Sequence, residues 1–316
     1  MYDLLVAGEI NPDLILSGDV SPAFGQAEKL VEDATLTVGS SSVIVACGAA
    51  RLGLRVTFIG LCGDDLFGRF MLAEMQRRGV DTSHVIVRKD GRTGLSVILN
   101  RGDDRAILTF PGLISALRGD DIPDALLARS RHLHIASYFL QTALQPDLPA
   151  LFQRAHTLGL TTSLDPNYDP SGRWDGFDQL LPHTDILLPN EQEALALTQA
   201  PSVEDAARRL ARRAGLIAVK LGAAGALAAR GDELVRAPAM PVQVADAVGA
   251  GDSFDAGFLY GFLHGWPLPK TLRLAAVCGA LSTRQAGGVA AQPTLEEALA
   301  HMEAANAASE VEIRRR

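Results

Sequence analysis

The chain has 316 residues, 47% of them hydrophobic and 21% charged, the composition of an ordinary globular protein rather than a disordered one. A formal net charge of −8 argues against a general nucleic-acid binder, which needs basic surface to displace counterions, yet it leaves room for an anion held by backbone amides. No apolar run approaches the roughly 20 residues of a membrane span, the start lacks the basic residues of a signal peptide and meets Asp3 at once, and Cys47, Cys62 and Cys278 lie scattered without a CxxC pair, so a cytoplasmic protein with buried reduced thiols is expected.

In chain order, "DLLVAGEI" reads as a short buried strand and "NPDLILSGD" as a turn with a second strand. "VIVACGAARLGLRVTFIGLCGDD" follows as a helix, a glycine stop at Gly53 and a strand over Val56–Gly60. "LFGRFMLAEMQRRGV" carries apolar residues at helical spacing and ends at Gly79. Residues 84–112 break the rhythm with three β-rich runs separated by Asp-Gly and Gly-Asp-Asp turns, which is hairpin chemistry. With residues 12–38 they are expected to form a small antiparallel lid. From "HLHIAS" to "LIAVKLG", apolar strands alternate with helices, the signature of a mostly parallel sheet covered on both faces. No linker or repeat divides the chain, so one α/β domain over 1–316 is expected. His132 and His134, alternating on a strand, read as packing residues rather than metal ligands.

The stretch "DAVGAGDSFDAGFLYGFLHG" raises the sharpest question. Phe254, Phe258, Leu259 and Phe262 fall at helical spacing, so a helix is expected from about Asp252. Gly249, Ala250 and Gly251 before it clear side chains from the unpaired first amides, where a phosphoryl group or developing oxyanion can rest. Asp252 would stand beside that hole, placed to take a proton from an attacking hydroxyl. The plain alternative is a turn with Asp252 as the helix cap.

Two further motifs are ambiguous alone. Asn190 and Glu193 in "LLPNEQEAL" fit a capping box, and equally a first helical turn whose two side chains hold hydrated Mg²⁺ beside phosphates. "VKLGAAG" carries Lys220 off a strand into Gly222 and Gly225, a hairpin turn or a loop on which nucleotide phosphates can lie. Neither a P-loop nor a strand-linked GxGxxG occurs.

Taken in order, these segments resemble the ribokinase-like (PfkB) carbohydrate kinase family. "DAVGAGD" is similar to its C-terminal signature, "NEQE" to its Asn-x-x-Glu metal motif, and residues 38–68 to its glycine-rich N-terminal segment. The resemblance implies a three-layer ribokinase-like fold with a β lid, ATP and Mg²⁺ as cofactors with a monovalent cation as a further candidate, and a small sugar as substrate. It makes Asp252 the base and the amides of Gly249, Ala250 and Gly251 the anion hole. It places Asn190, Lys220, Gly222, Gly225, Ala276 and Gly279 around the nucleotide, with Glu193 and Asn190 toward the metal. Asn11, Asp13, Gly39, Ser40, Ser41, Arg105 and Asn167 fall to the substrate; an aspartate accepting two neighbouring hydroxyls suits a sugar, while Asn-Pro-Asp is also a common turn, and Arg105 also reads as a solvated hairpin arginine.

The chain departs from the family pattern at Ser40, in place of its second glycine, and at Ile44, in place of a sugar-contacting Asn. Ala247 and Ala276 stand where Thr and Asn are common, and Asp169 where an Arg marks acidic-sugar kinases. Asp169 makes an acidic sugar the less expected substrate, and Ile44 and Ala276 keep an adenosine-like nucleoside or a vitamin alcohol open as alternative acceptors. A non-catalytic sugar-binding relative is a third reading, against which the base and the anion hole both persist. No membrane or nucleic-acid partner is expected. A lid of this kind can also pair with that of a second subunit.

Overall fold

The computed structural model describes residues 1–101 and 104–304. In chain order its elements are β1 (Leu4–Ala7), β2 (Pro12–Ser17), β3 (Asp33–Val38), α1 (Ser41–Arg51), β4 (Val56–Ile59), β5 (Leu61–Gly63), α2 (Leu66–Arg77), β6 (Ile86–Arg88), β7 (Leu95–Arg101), β8 (Asp104–Phe110) and α3 (Asp124–Leu127). Then follow β9 (His132–Ile135), α4 (Leu148–Thr157), β10 (Thr161–Leu164), β11 (Ile186–Leu187), α5 (Glu191–Thr198), α6 (Val203–Ala211), β12 (Leu216–Lys220), β13 (Ala226–Arg230), β14 (Glu233–Ala237), α7 (Ala250–Leu263) and α8 (Leu268–Ser282).

Eight strands form the main sheet in the order β14-β13-β12-β11-β10-β9-β1-β4. All pairings from β12 to β4 are parallel, and the β12–β13–β14 meander closes one edge antiparallel. Strand side chains alternate between faces: Leu4 and Val6 of β1 join the core with Phe58, Phe258 and Leu272, whereas Leu5 and Ala7 join that with Leu133, Phe152 and Leu210. Both faces are therefore buried, as the continuous apolar strands require. His132 and His134 are buried and bonded to Thr161 and Ser163 at 2.7 Å. Burial holds both imidazoles below their ordinary value, His134 at about 4, so they pack as neutral rings.

A four-stranded sheet, β3-β2-β7-β8, stands apart from the main one. Its two outer pairings are antiparallel hairpins, but β2 and β7 join them in parallel. The first β-rich run of residues 84–112 does not enter this sheet. It becomes β6 and pairs in parallel with β5. The Asp90-Gly91 dipeptide is no hairpin turn: Gly91 lies against Gly63, where an added Cβ would sit 2.7 Å from the Gly91 carbonyl oxygen. Thr93 Oγ1 accepts the Gly63 amide, and Asp65 accepts the Thr93 amide. The segment is thus pulled across the start of α2 before β7 begins.

Candidate active site

The two glycines of "GAG" serve different needs. Gly249 caps α7 in the left-handed region, φ +71°, and an added Cβ would lie 2.5 Å from the Cα of Gly288. Asp246 fastens this turn by accepting the amides of Val248 and Gly287. At Gly251 the nearest neighbour of an added Cβ is the Lys220 side chain at 3.4 Å, an ordinary contact, so its surface faces the cavity. The helix starts two residues before the expected Asp252, because a left-handed glycine ends the turn without a capping side chain. Ala250, Gly251 and Asp252 form its first turn, and Asp252 is not the cap.

Asp252 is 6% exposed. Burial chiefly, then the charges of Asp165 and Glu9, push its carboxyl up to about 7, against the opposing pull of Lys220 and the Ser41 hydroxyl. Lys220, last residue of β12, binds Asp165 at 2.7 Å and Asp255 at 3.3 Å. Carboxylate oxygens of Asp165, Asp252 and Asp255 lie within 4.8 Å of one another. Lys220, expected beside the nucleotide, therefore also holds this buried acidic group together, its own ammonium held well above the usual value by those carboxylates against the cost of burial. Sequence reading singled out neither Asp165 nor Asp255. The local signals were the Asp165-Pro166-Asn167 run, of which only Asn167 was assigned, and Asp255 three residues after Asp252 on the same helical face.

Asn190 and Glu193 do form the capping box. Asn190 Oδ1 accepts the Glu193 amide, and Glu193 accepts the Asn190 amide and side-chain NH₂. Burial, then Asp165, push the Glu193 carboxyl up to about 7. Both residues nonetheless line a cavity, so capping and a role toward a hydrated cation are compatible uses of the same side chains.

Two cavities meet at this point. One, of about 760 Å³, is walled by Lys220, Gly222, Gly225, Ala276 and Gly279, with Met240, Val242, Val244 and Phe254 supplying apolar surface. The other, of about 430 Å³, is walled by Asp13, Ser40, Ser41, Arg105, Asn167, Asn190, Glu193, Gly249 and Asp252. Lys220, Gly222, Ala247 and Gly251 line both. The apolar 240–244 segment is a contribution that sequence reading missed.

On the lid side, burial pushes Asp13 up to about 7, with Arg105 opposing and Asp246 adding to the shift. Asn11 and Gly39 lie behind Asp13 rather than on the wall. Asn11 approaches Asp13 at 3.4 Å, and any Cβ on Gly39 would collide with the Asp13 carboxylate. Ser40 explains the family's glycine: it adopts φ +68° as cap of α1. Its hydroxyl is committed to the Glu9 carbonyl and the Val43 amide, and that of Ser42 to the Glu9 carboxylate at 2.6 Å. Of the three serines, Ser41 keeps its hydroxyl toward the cavity and Asp252. Asn167, at φ +52°, accepts the Ser137 amide, and its amide nitrogen approaches Asp165 at 3.3 Å. Asp169 folds its own loop by accepting the amides of Ser171 and Trp174.

A covered parallel sheet with a β lid, and a buried carboxylate at a helix start on the wall of one of two joined cavities, form an enclosed site for small molecules. The model of the pfkB family carbohydrate kinases matches residues 1–295, and the chain belongs to that family. It is 34% identical over 229 residues to an uncharacterized sugar kinase of Archaeoglobus fulgidus, covering 72% of this chain and 90% of that one. It is 29% identical over 294 residues to the 5-dehydro-2-deoxygluconokinase of Geobacillus thermodenitrificans, covering 86% of each. Among solved structures, a ribokinase II candidate from E. coli in complex with ATP and Mg²⁺ superposes with a TM-score of 0.86 at 22% identity, over 96% of this chain and 99% of that one. No helix among the described residues is long and apolar enough to cross a membrane.

Proposed function

We propose that this carbohydrate kinase transfers the γ-phosphoryl group of ATP to a hydroxymethyl group of a small sugar, with Asp252 as the base. The observation that carries the reading is the position of Asp252. It lines the smaller cavity from the first turn of α7, directly after Gly251, which lines both cavities.

The larger cavity suits a nucleotide: Met240, Val242 and Phe254 offer apolar surface for a purine, and the Gly222–Gly225 turn lets phosphates approach the backbone. The acceptor lies in the smaller cavity against Asp13, Ser41 and Asn167. Asp252 takes the proton of its hydroxyl, whose oxygen bonds to the γ-phosphorus as the bond to the β–γ bridging oxygen breaks. The amides of Gly249, Gly251 and Asp252 stabilise the charge on the transferring group, while that of Ala250 is bonded to the Ala247 carbonyl at 3.3 Å. Asn190 and Glu193 would hold Mg²⁺ through water; when bound, the ion neutralises phosphate charge. Closure of the lid over the acceptor excludes water, which otherwise competes as a nucleophile. The chain works as one domain in the cytoplasm, where ATP is, and pairs through its lids as a homodimer.

Replacing Asp252 by Asn lowers kcat by roughly 10²–10⁴-fold and leaves ATP binding nearly unchanged. ADP release with Mg·ATP and a sugar panel, with calorimetry of ATP binding, checks this. Unchanged turnover in the mutant overturns the assignment of the base.

A further inference from the structure

The lid face that looks into the smaller cavity is banded. Strand register places Thr37, Asp13, Ser96 and Thr109 in one row across β3, β2, β7 and β8. The row is real in side-chain terms, since Ser96 and Thr109 share a hydrogen bond of 3.1 Å and Asn11 approaches Ser96. Two residues further along each strand the row is Thr35, Ile15, Ile98 and Ile107, and beyond it come Ser17, Asn100 and Arg105. With a rise of about 3.4 Å per residue, successive rows lie roughly 7 Å apart. Asp13, Ile98, Ile107 and Arg105 all line the cavity. Arg105 is close enough for its charge to act on Asp13. Among the described residues, its guanidinium makes no ion pair.

We propose that Ile98, Ile107 and Arg105 form a second subsite, and that the carbohydrate accepted here carries a substituent: a planar base or a carbon chain resting on the isoleucines, with a hydrogen-bond acceptor or anionic group for Arg105. The inference rests on the sugar-kinase reading and deepens it. On the acceptor side, Asp13, Ser41 and Asn167 offer polar groups to a bare sugar, while Ile44, Ile98 and Ile107 offer none. Ile98 is buried and Ile107 is 52% exposed. Hydroxyls turned toward Ile98 would lose water and gain no partner there, while Ile107 offers uncovered apolar surface. An apolar substituent there gains burial instead. Ile44, on the cavity wall in place of a polar residue, removes one more hydroxyl partner.

The test is ADP release with Mg·ATP in three arms: free ribose and fructose, the ribonucleosides adenosine and uridine, and the chain-bearing ketose fructoselysine. At least one substituted compound is expected to exceed its parent sugar in kcat/KM by about a hundredfold, and Ile107→Ser to lower that ratio by about tenfold. The arm that responds distinguishes a base from a chain. A parent sugar used as well as its substituted forms, or a ratio indifferent to Ile107→Ser, overturns the subsite and leaves the sugar kinase standing. No ADP release in any arm, with ATP still bound, overturns the sugar-kinase reading and the subsite together.

Discussion

At the scale of single residues, three carboxyls are held near neutrality for the same first cause, burial: Asp13, Glu193 and Asp252, each pushed up to about 7. The consequences for activity and stability have opposite signs. Asp252 must lose its proton to act as a base, so kcat/KM is expected to fall about tenfold per unit below roughly pH 7. A carboxyl whose folded value lies above its unfolded value of about 4 contributes stability that is fully present below pH 4. That contribution is lost as pH rises through about 7. In urea unfolding between pH 5 and pH 8 without ligand, these carboxyls favour the lower pH, opposed by His132 and His134, whose lowered values favour the higher. Asp13→Asn should therefore raise the midpoint at pH 8 relative to that at pH 5, while turnover favours the higher pH. Lys220 bears on the same balance. Its ammonium lowers the Asp252 value, whereas Asp165 raises it, so Lys220→Met should move the acid limb of the profile to higher pH, with Lys220→Arg restoring part of the shift. A uniform loss of rate with no displacement of the limb would show that Lys220 only supports the fold.

At the scale of elements, the helices and parallel strands were legible because apolar periodicity is a local signal. The start of α7 was misplaced by two residues because a left-handed glycine caps a helix without leaving a side-chain signature. The strand β6 was assigned to the lid because Asp90-Gly91 reads as a turn, and its true partner, β5, is set by packing against Gly63. The Lys220–Asp165–Asp255 group joins three separate segments, and no spacing within one segment announces it. Conversely, the Asn190–Glu193 ambiguity was genuine: the capping box exists and faces the cavity. The Gly-Ala-Gly turn gives a prediction that separates its two glycines. Gly249→Ala meets backbone at Gly288 in a left-handed conformation and should cost about 2–3 kcal/mol of stability, seen in urea unfolding. Gly251→Ala meets Lys220 at an ordinary contact distance of 3.4 Å, so stability should change little, while KM for ATP rises as the methyl group occupies space meant for phosphate. Equal losses of stability in both would mean that Gly251 serves packing alone.

At the scale of the whole molecule, the site lies where parallel strands end. Glu9 follows β1, Asp165 follows β10, Asn190 follows β11 and Lys220 closes β12, the carboxyl edge where open α/β sheets bind ligands. The lid roofs that edge and has a second face of opposite character. Side chains alternating with the cavity-facing ones are Leu14, Leu16, Leu36, Val97, Leu99 and Leu108, which register sets side by side. Leu36, Leu108 and Phe110 are 38%, 61% and 45% exposed. An apolar face of this extent on a four-stranded sheet is unusual on a solvated monomer, and β8 presents it at a free edge. A second copy offers the same face, so a twofold pairing of lids covers both at once. Leu108→Glu is expected to place a charge in that contact and convert a dimer to a monomer in sedimentation velocity. Because Leu108 points away from the cavity, the monomer should still bind ATP, and any fall in turnover would report how far pairing steadies the lid over the acceptor. Wild-type protein that sediments as a monomer at micromolar concentration would remove the dimer from the account while leaving Asp252 and its cavities as they stand.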